Sequence, residues 1–297
     1  MKAYRKKLDR GLIDYLNNLY EEKGSWWQKI VDDDEVFILV RDNHLRVQVH
    51  GGLLLMIGTD NNGKILCKTH EEYLNMRSEG DPYVTISETR TDPPKRVEGL
   101  GEFVQHYGKI KRRIKFFVDS ERQYCHSMSI RIKEIVEREV GLVQEEVHET
   151  IQRRAQFVDL QAVSDDGKMV FVEVKLFNNP EIRSWETPSV VTQLKKYQDI
   201  IKLHKENIIN SYVELYETYL QLKGKFFSKV LPDPSKIQIY PTVRLIVSDF
   251  DGGQLKHLIP TIRGGIEKGM GWARGTKDLI TVGKPSSINS GHIFKGI

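Results

Sequence analysis

Three residues on two neighbouring apolar segments have the chemistry for hydrolysis: Asp159 in "QFVDLQAV", and Glu173 and Lys175 in "KMVFVEVKL". Side chains alternate between the faces of a strand, so Glu173 and Lys175 share one face while three valines take the other. Two neighbouring carboxylates repel each other and require a positive charge between them. A lysine supplies that charge in a structural ion cluster, and Mg²⁺ or Mn²⁺ supplies it in a metal site with hard oxygen ligands.

The length of the loop between the two segments decides whether the carboxylates meet. A two-residue turn would put Asp159 opposite Val174, on the wrong face. A three-residue loop over 165–167 puts Asp159 opposite Glu173, and it needs a left-handed residue at its third position, where Gly167 stands. This register also gives one face of both strands to apolar side chains. We therefore predict the three-residue loop.

These residues suit the hydrolysis of a phosphodiester bond. A metal held by Asp159 and Glu173 would lower the pKa of a bound water and neutralise a phosphate under in-line attack. Lys175 would orient or deprotonate that water and help to neutralise the developing negative charge. Downstream, "QLKKY" places Gln193 and Tyr197 four residues apart on a predicted helix, where both can reach a single site.

The order of these residues carries a resemblance to a known family. Asp159 followed by Glu173-Val174-Lys175 resembles the core motif of the PD-(D/E)XK nuclease superfamily, although Val158 stands where that motif usually has proline. The resemblance covers roughly residues 110–265. It implies an α/β (α+β) fold with a restriction-endonuclease-like αβββαβ core, preceded here by a smaller β-rich domain.

The second motif resembles that of a subgroup of the same superfamily. Gln193 and Tyr197 are similar to the QxxxY motif of RecB-like exonucleases. The resemblance implies a Mg²⁺-dependent (or Mn²⁺-dependent) deoxyribonuclease with a role in DNA processing, restriction or anti-phage defence. It implies five catalytic residues: Asp159, Glu173, Lys175, Gln193 and Tyr197.

Further site residues follow from the same resemblance. The superfamily often has another metal-binding acid on the helix before the hairpin, and Glu121 in "DSERQYCHS" is our leading candidate. Glu145 and Glu149 are alternatives, in a segment that also fits an edge strand. Cations close to the hairpin and on the next helix are expected to contact nucleic-acid phosphates: Arg153, Arg154, Arg183, Lys195 and Lys196.

Two other motifs suggest different chemistry. "GTDNNGKI" (58–65) has part of the spacing of a phosphate-binding loop, but it lacks the final hydroxyl and the following helix, so a hairpin turn is the better interpretation. "RLIVSDFDGG" (244–253) resembles the nucleophile motif of haloacid dehalogenase-like phosphatases. The rest of that family's motifs need a longer downstream stretch, so we interpret it as a core strand that ends in an acidic turn.

The chain is long enough for two unequal domains. We predict a β-rich meander with a leading helix over 1–100, and a nuclease-like domain with a flexible C-terminal tail over 101–297. The first domain is expected to recognise substrate, form a homodimer or bind a protein partner. The hydrophobic pattern predicts strands at 36–40, 45–50, 53–57, 64–68, 83–87 and 242–250, and helices at 4–19, 97–115, 119–138, 189–204, 208–223 and 253–268.

Composition indicates an ordinary globular protein with a mildly basic charge. The 297 residues are 39% hydrophobic and carry a net charge of +4, which suits a polyanionic partner such as DNA or RNA. The N-terminus lacks the apolar core of a signal peptide, and no apolar run is long enough for a membrane span. We expect a cytoplasmic protein with Cys67 and Cys125 as buried, reduced thiols. The alternative function is a non-catalytic nucleic-acid-binding or assembly subunit that retains the nuclease fold.

Overall fold

The computed structural model describes residues 5–60, 62–74, 83–86, 91–92, 99–143, 156–183 and 188–297. Over these residues the chain forms ten α-helices and two six-stranded sheets, so the predicted mixed α/β class is confirmed. The backbone packs into two units. The amino-terminal unit combines Arg5–Ile130 with Ser211–Val230, and the carboxy-terminal unit combines Arg131–Asn210 with Leu231–Ile297. None of the helices within the described ranges has the length and apolar character that crossing a membrane requires.

The amino-terminal unit is built on an antiparallel meander in which each strand pairs with the next, as the alternating strands and turns predict. Its strands are β1 (Val36–Arg41), β2 (His44–Val49), β3 (Gly52–Thr59), β4 (Ile65–His70), β5 (Tyr83–Ile86) and β6 (Thr91–Asp92). Its helices are α1 (Arg10–Glu21), α2 (Trp26–Val31), α3 (Leu100–Gln105), α4 (Tyr107–Phe117) and α5 (Ser120–Arg131). Cys67 and Cys125 are both buried and are not joined in a disulfide, as predicted.

The boundary between the units differs from the predicted one at residue 100. Helices α3 and α4, and α5 up to Ile130, pack in the amino-terminal unit. The contact between α4 and β3 is close, because a Cβ added to Gly52 would lie 2.5 Å from Cγ2 of Ile114. A side chain at this position would therefore push the helix off the strand.

The motif at 58–65 is a hairpin turn between β3 and β4, as we interpreted it. The Asp60 carboxylate accepts hydrogen bonds from the backbone N–H groups of Asn62 (2.9 Å) and Lys64 (2.8 Å). An acid thus occupies the donors that a phosphate would need. Gly63 has φ +77, which is the left-handed conformation such a turn requires.

The carboxy-terminal unit carries a mixed sheet in the order β12-β11-β9-β8-β7. Strands β7, β8 and β9 form an antiparallel meander, and β11 runs parallel to both β9 and β12, while short β10 pairs with the start of β9. The strands are β7 (Ile135–Val143), β8 (Gln156–Val163), β9 (Lys168–Leu176), β10 (Gln238–Ile239), β11 (Arg244–Ser248) and β12 (Leu279–Val282). The helices are α6 (Ser189–Leu203), α7 (Lys205–Gln221, which continues into the amino-terminal unit), α8 (Gly252–His257), α9 (Ile259–Met270) and α10 (Ser290–Ile293).

The helix predicted over 119–138 is wrong beyond Arg131. Helix α5 ends there, and Ile135 and Val136 begin β7. Four successive residues, 135–138, are buried, so both faces of the strand are covered here. A strand covered on both faces shows no alternation of apolar and polar residues, so its pattern resembles that of a buried helix.

The hairpin that connects β8 and β9 has the predicted register and loop. Leu160 pairs with Val172 and Ala162 with Val170, and the N–H of Ser164 donates to Lys168 O at 3.0 Å, which leaves a three-residue loop. Gly167, its third residue, has φ +89. The prediction of the three-residue loop is confirmed.

The acidic turn after β11 begins a helix. The Asp251 carboxylate accepts from the N–H of Gln254 at 2.7 Å, and the Gln254 side chain accepts from the N–H of Asp251 at 2.9 Å, which is a capping box. The acid therefore has a structural role at the start of α8, as expected for a core strand that ends in an acidic turn.

The C-terminal segment is packed rather than loose. The buried Arg244 guanidinium donates to Ile293 O at 2.6 Å and to Lys295 O at 2.9 Å. Ile288 and Ile293 are also buried. The predicted flexible tail is therefore wrong over these residues, because a buried cation needs acceptors that the tail carbonyls supply.

Candidate functional site

Strand β9 carries the centre of the site and is buried on both faces. One face presents valines, and the other presents Phe171, Glu173 and Lys175. Glu173 is 2% exposed and Lys175 is 6% exposed. Charged side chains are rarely buried to this degree unless they are paired, so this face was less solvent-accessible than the sequence suggested.

Lys175 lies between two carboxylates. Its Nζ is 2.9 Å from Glu173 Oε1 and 2.7 Å from Glu181 Oε2. Glu181 comes from a 3₁₀ turn, Pro180–Ile182, whose start is capped by the Asn179 side chain. Sequence reasoning missed Glu181. The available signal was an acid six residues after the motif lysine, in the turn signal "NNPE".

Electrostatics keep Lys175 protonated. Burial by itself would lower the pKa of Lys175, but the charge of Glu173, the hydrogen bonds to Glu181 and Glu173, and the charge of Asp159 outweigh burial and raise the pKa. A lysine with a raised pKa cannot accept a proton at neutral pH. Of the two roles that the sequence left open for Lys175, orientation with charge neutralisation fits its position between two carboxylates.

Asp159 ends the ladder between β8 and β9. The last paired residues in this direction are Leu160 and Val172, and the Asp159 Oδ2 atom then accepts from the backbone N–H of Val174 at 2.8 Å. A side-chain carboxylate thus replaces the carbonyl that would pair with Val174. The predicted position of Asp159 directly opposite Glu173 is therefore not part of the ladder, and Asp159 contacts β9 through the N–H of Val174 instead.

Gln193 and Tyr197 form a hydrogen-bonded chain to β8. The Tyr197 hydroxyl donates to Phe157 O at 2.5 Å and accepts from Gln193 Nε2 at 2.7 Å. Burial raises the pKa of Tyr197, and the charges of Glu173 and Asp159 raise it further, which puts the hydroxyl within the field of the acidic cluster. The predicted helix pair therefore contacts β8 two residues before Asp159.

The side-chain oxygen of Gln193 lacks a hydrogen-bond donor among the residues that the structure describes. Because the tyrosine hydroxyl donates to Phe157, it must accept from the Gln193 NH₂ group, and this fixes the orientation of the amide. The side-chain oxygen Oε1 is buried and accepts no hydrogen bond from any residue that the structure describes. Buried acceptors are nearly always satisfied, so a water or ligand donor is expected here.

The other predicted residues are distributed differently. Glu121 lies in the first turn of α5, in the amino-terminal unit. Arg153, Arg154, Glu145 and Glu149 lie outside the described residues.

The three remaining predicted cations are all exposed. Arg183 follows the turn that carries Glu181 and stacks its guanidinium 5.0 Å from the centre of the Phe177 ring. Lys195 and Lys196 lie on α6, where Lys196 is next to the Gln193 side of the helix. Lys195 is rotated about 160° away from Gln193, so it faces away from the site.

Neither the arrangement of metal-binding side chains nor similarity to a known protein assigns the site further. Over the described ranges, no group of three or more acidic, imidazole or thiol side chains is arranged to hold a metal ion. No family model, curated protein or solved structure matches this chain.

Proposed function

We propose that this chain is a Mg²⁺-dependent nuclease that hydrolyses phosphodiester bonds of DNA, with a restriction-endonuclease-like core in its carboxy-terminal unit. The observation that carries the proposal is the burial of Glu173 and Lys175 on the central strand, with Asp159 beside them. Replacing a buried ion pair with apolar residues often leaves stability unchanged or raises it. Stability alone therefore does not explain why this protein has a buried ion pair here. Clusters of this kind are concentrated at functional sites.

The order of elements supports the core. Within the carboxy-terminal unit, three antiparallel strands, a helix and a strand parallel to the third strand follow one another along the chain as β7 to β9, α6 and β11. This order matches the βββαβ part of the αβββαβ core that the PD-(D/E)XK resemblance implies, whereas the preceding helix, α5, packs up to Ile130 in the amino-terminal unit. Gln193 and Tyr197 on α6 fit the QxxxY part of the same resemblance.

The donor set suits a hard cation. Asp159 and Glu173 offer carboxylate oxygens, and Gln193 offers the buried amide oxygen that accepts no hydrogen bond from a described residue. Oxygen ligands of these types are preferred by Mg²⁺ and Mn²⁺. When bound, Mg²⁺ supplies the Lewis acidity that activates water and neutralises a phosphate.

The chain's own residues have separate tasks in this scheme. Glu173 and Asp159 would hold the cation, and Lys175 would offset the negative charge that develops on the phosphate during attack. Glu181 keeps the lysine in place through its 2.7 Å contact. Tyr197 fixes the β8 backbone next to Asp159 by its bond to Phe157 O.

The non-catalytic alternative also has an observation in its favour. Lys175 already pairs with Glu173 and Glu181, and Asp159 already accepts a hydrogen bond from Val174. These side chains therefore have protein partners without a metal. A nucleic-acid-binding or assembly subunit that retained the fold would keep the same contacts. It would bind DNA or a protein partner in EDTA and cleave nothing.

The deciding experiment measures cleavage of single- and double-stranded DNA by the full chain with Mg²⁺ and with EDTA. Lys175→Met is expected to lower the cleavage rate about 100-fold or more. Lys168→Met is the matched control, since Lys168 begins the same strand but is partly exposed and pairs with exposed Asp166. Circular dichroism of both variants checks folding. Cleavage in EDTA, or equal rates for wild type and a folded Lys175→Met variant, would contradict the proposal.

A further inference from the structure

A cavity of about 390 Å³ opens beside the acidic cluster, within the carboxy-terminal unit. Phe177 and Ile182 line it, and they flank the cluster in sequence. Phe177 lies in the turn that follows β9, two residues after Lys175, and its N–H donates to Ser248 O at 2.7 Å. Ile182 directly follows Glu181, so each of these two lining residues is within two positions of a charged residue of the cluster.

The cavity lining combines a broad apolar surface with hydrogen-bond donors. Its apolar walls are Phe177, Ile182, Leu258 and Ile262. Its polar residues are Arg183, Gln254 and Thr261. The volume lies at the lower end of the range of about 300–1,000 Å³ typical of small-ligand sites.

Arg183 gives the cavity its charge. The Nε atom donates to Phe177 O at 3.0 Å, and the guanidinium stacks over the Phe177 ring, so the group is held in one orientation. No ion pair joins Arg183 to an acid in the described part of the chain, and none of the described lining residues carries a carboxylate. The cavity therefore complements a ligand with a flat apolar part and an anionic group.

We propose that this cavity binds the base and sugar of a nucleotide adjacent to the scissile phosphate, while Arg183 binds the neighbouring phosphate. This inference rests on the proposed nuclease function and names its substrate class. A base that enters a side cavity has to leave the base stack, which costs least in a single strand. The substrate is therefore single-stranded nucleic acid or a frayed end.

The test measures binding of thymidine 5′-monophosphate and of thymidine to the full chain by calorimetry in EDTA, where no cleavage occurs. The monophosphate is expected to bind at least about tenfold more tightly than the nucleoside, because the guanidinium pairs with phosphate. Arg183→Gln is expected to remove this advantage, and Arg183→Lys to restore part of it.

A second test fills the cavity with a larger side chain. Leu258→Trp, at the exposed lip of the cavity, is expected to weaken monophosphate binding about tenfold or more. Leu255→Trp is the control, since Leu255 is similarly exposed on α8 but does not line the cavity. Absence of nucleotide binding, or binding that Leu258→Trp leaves unchanged, overturns the inference.

The two proposals fail separately in these experiments. Cleavage that requires Lys175, without nucleotide binding in the cavity, keeps the nuclease and overturns the cavity assignment. Nucleotide binding without any cleavage supports the cavity as a nucleotide site and overturns the nuclease. Faster cleavage of double-stranded than of single-stranded DNA contradicts the substrate class that the cavity implies.

Discussion

At the scale of single residues, the site depends on the balance of charges around Lys175. Both Glu173 and Lys175 are nearly inaccessible to solvent, so water cannot hydrate the charge of either residue when its partner is removed. Glu181, whose side chain is 43% exposed, can be hydrated. The buried pair should therefore dominate the stability of the cluster.

This balance gives a first prediction. Lys175→Met should lower the free energy of unfolding by about 3–5 kcal/mol, because it leaves Glu173 buried without its cation. The double change Lys175→Met with Glu173→Gln should cost less than the single one. Urea unfolding measures both, with Lys168→Met as a control that costs below about 1 kcal/mol. A double variant less stable than Lys175→Met would contradict this account.

A second prediction concerns pH. The folded-state pKa of Lys175 is raised above the ordinary value of 10.5, so its stabilising contribution is complete below that value and is lost only as the pH rises above it. The stability difference between wild type and Lys175→Met should therefore stay constant from about pH 7 to 9 and shrink at higher pH. Chemical unfolding over this range measures it. A difference that already declines near neutrality would mean that the pKa is not raised.

At the scale of elements, the β8–β9 hairpin sets the position of Asp159. Its loop depends on Gly167, where an added Cβ would lie 2.4 Å from Lys236 O and the backbone is left-handed. Gly167→Ala should lower stability by about 2 kcal/mol or more and also reduce cleavage, because the loop fixes the register. Gly264→Ala is the matched control. Its Cβ would meet nothing within 4 Å on helix α9, so it should stabilise by about 0.5–1 kcal/mol.

The hairpin also shows what local sequence can predict. Its register followed from the valine face and one glycine, because both act between neighbouring segments. Glu181 did not follow, since its contact with Lys175 depends on how the chain turns after the strand ends. Strand β7 was missed for a related reason. Its burial on two faces comes from tertiary packing, which leaves no alternation in the sequence.

At the scale of the whole molecule, each unit is assembled from segments that are distant in sequence. The chain leaves the carboxy-terminal unit after Asn210 and returns at Leu231, and the last residues of the chain complete the same unit. Arg244 explains why the last residues of the chain belong to this unit. Its guanidinium is fully buried, donates to three tail carbonyls (His292, Ile293 and Lys295) and lies 3.5 Å from Asp278.

The tail should therefore be needed for stability. A chain that ends at Asn289 should lose about 3–5 kcal/mol, because the buried guanidinium loses three carbonyl acceptors. Lys295→Ala is the control, since it removes an exposed side chain but keeps the carbonyl that Arg244 uses. Thermal and urea unfolding compare the three proteins. Equal stability of the shortened chain would show that the packed tail contributes nothing.

The position of Lys175 between two acids also restricts how this protein can change by mutation. Substitution of Glu173 or Lys175 alone leaves the other residue buried without its partner. A variant that loses the site through one substitution therefore also becomes less stable. The two positions are thus expected to tolerate substitution only together, whereas half-exposed Glu181 can vary first. In a library of random variants selected only for folding, surviving substitutions at Glu173 and Lys175 should occur in the same clones.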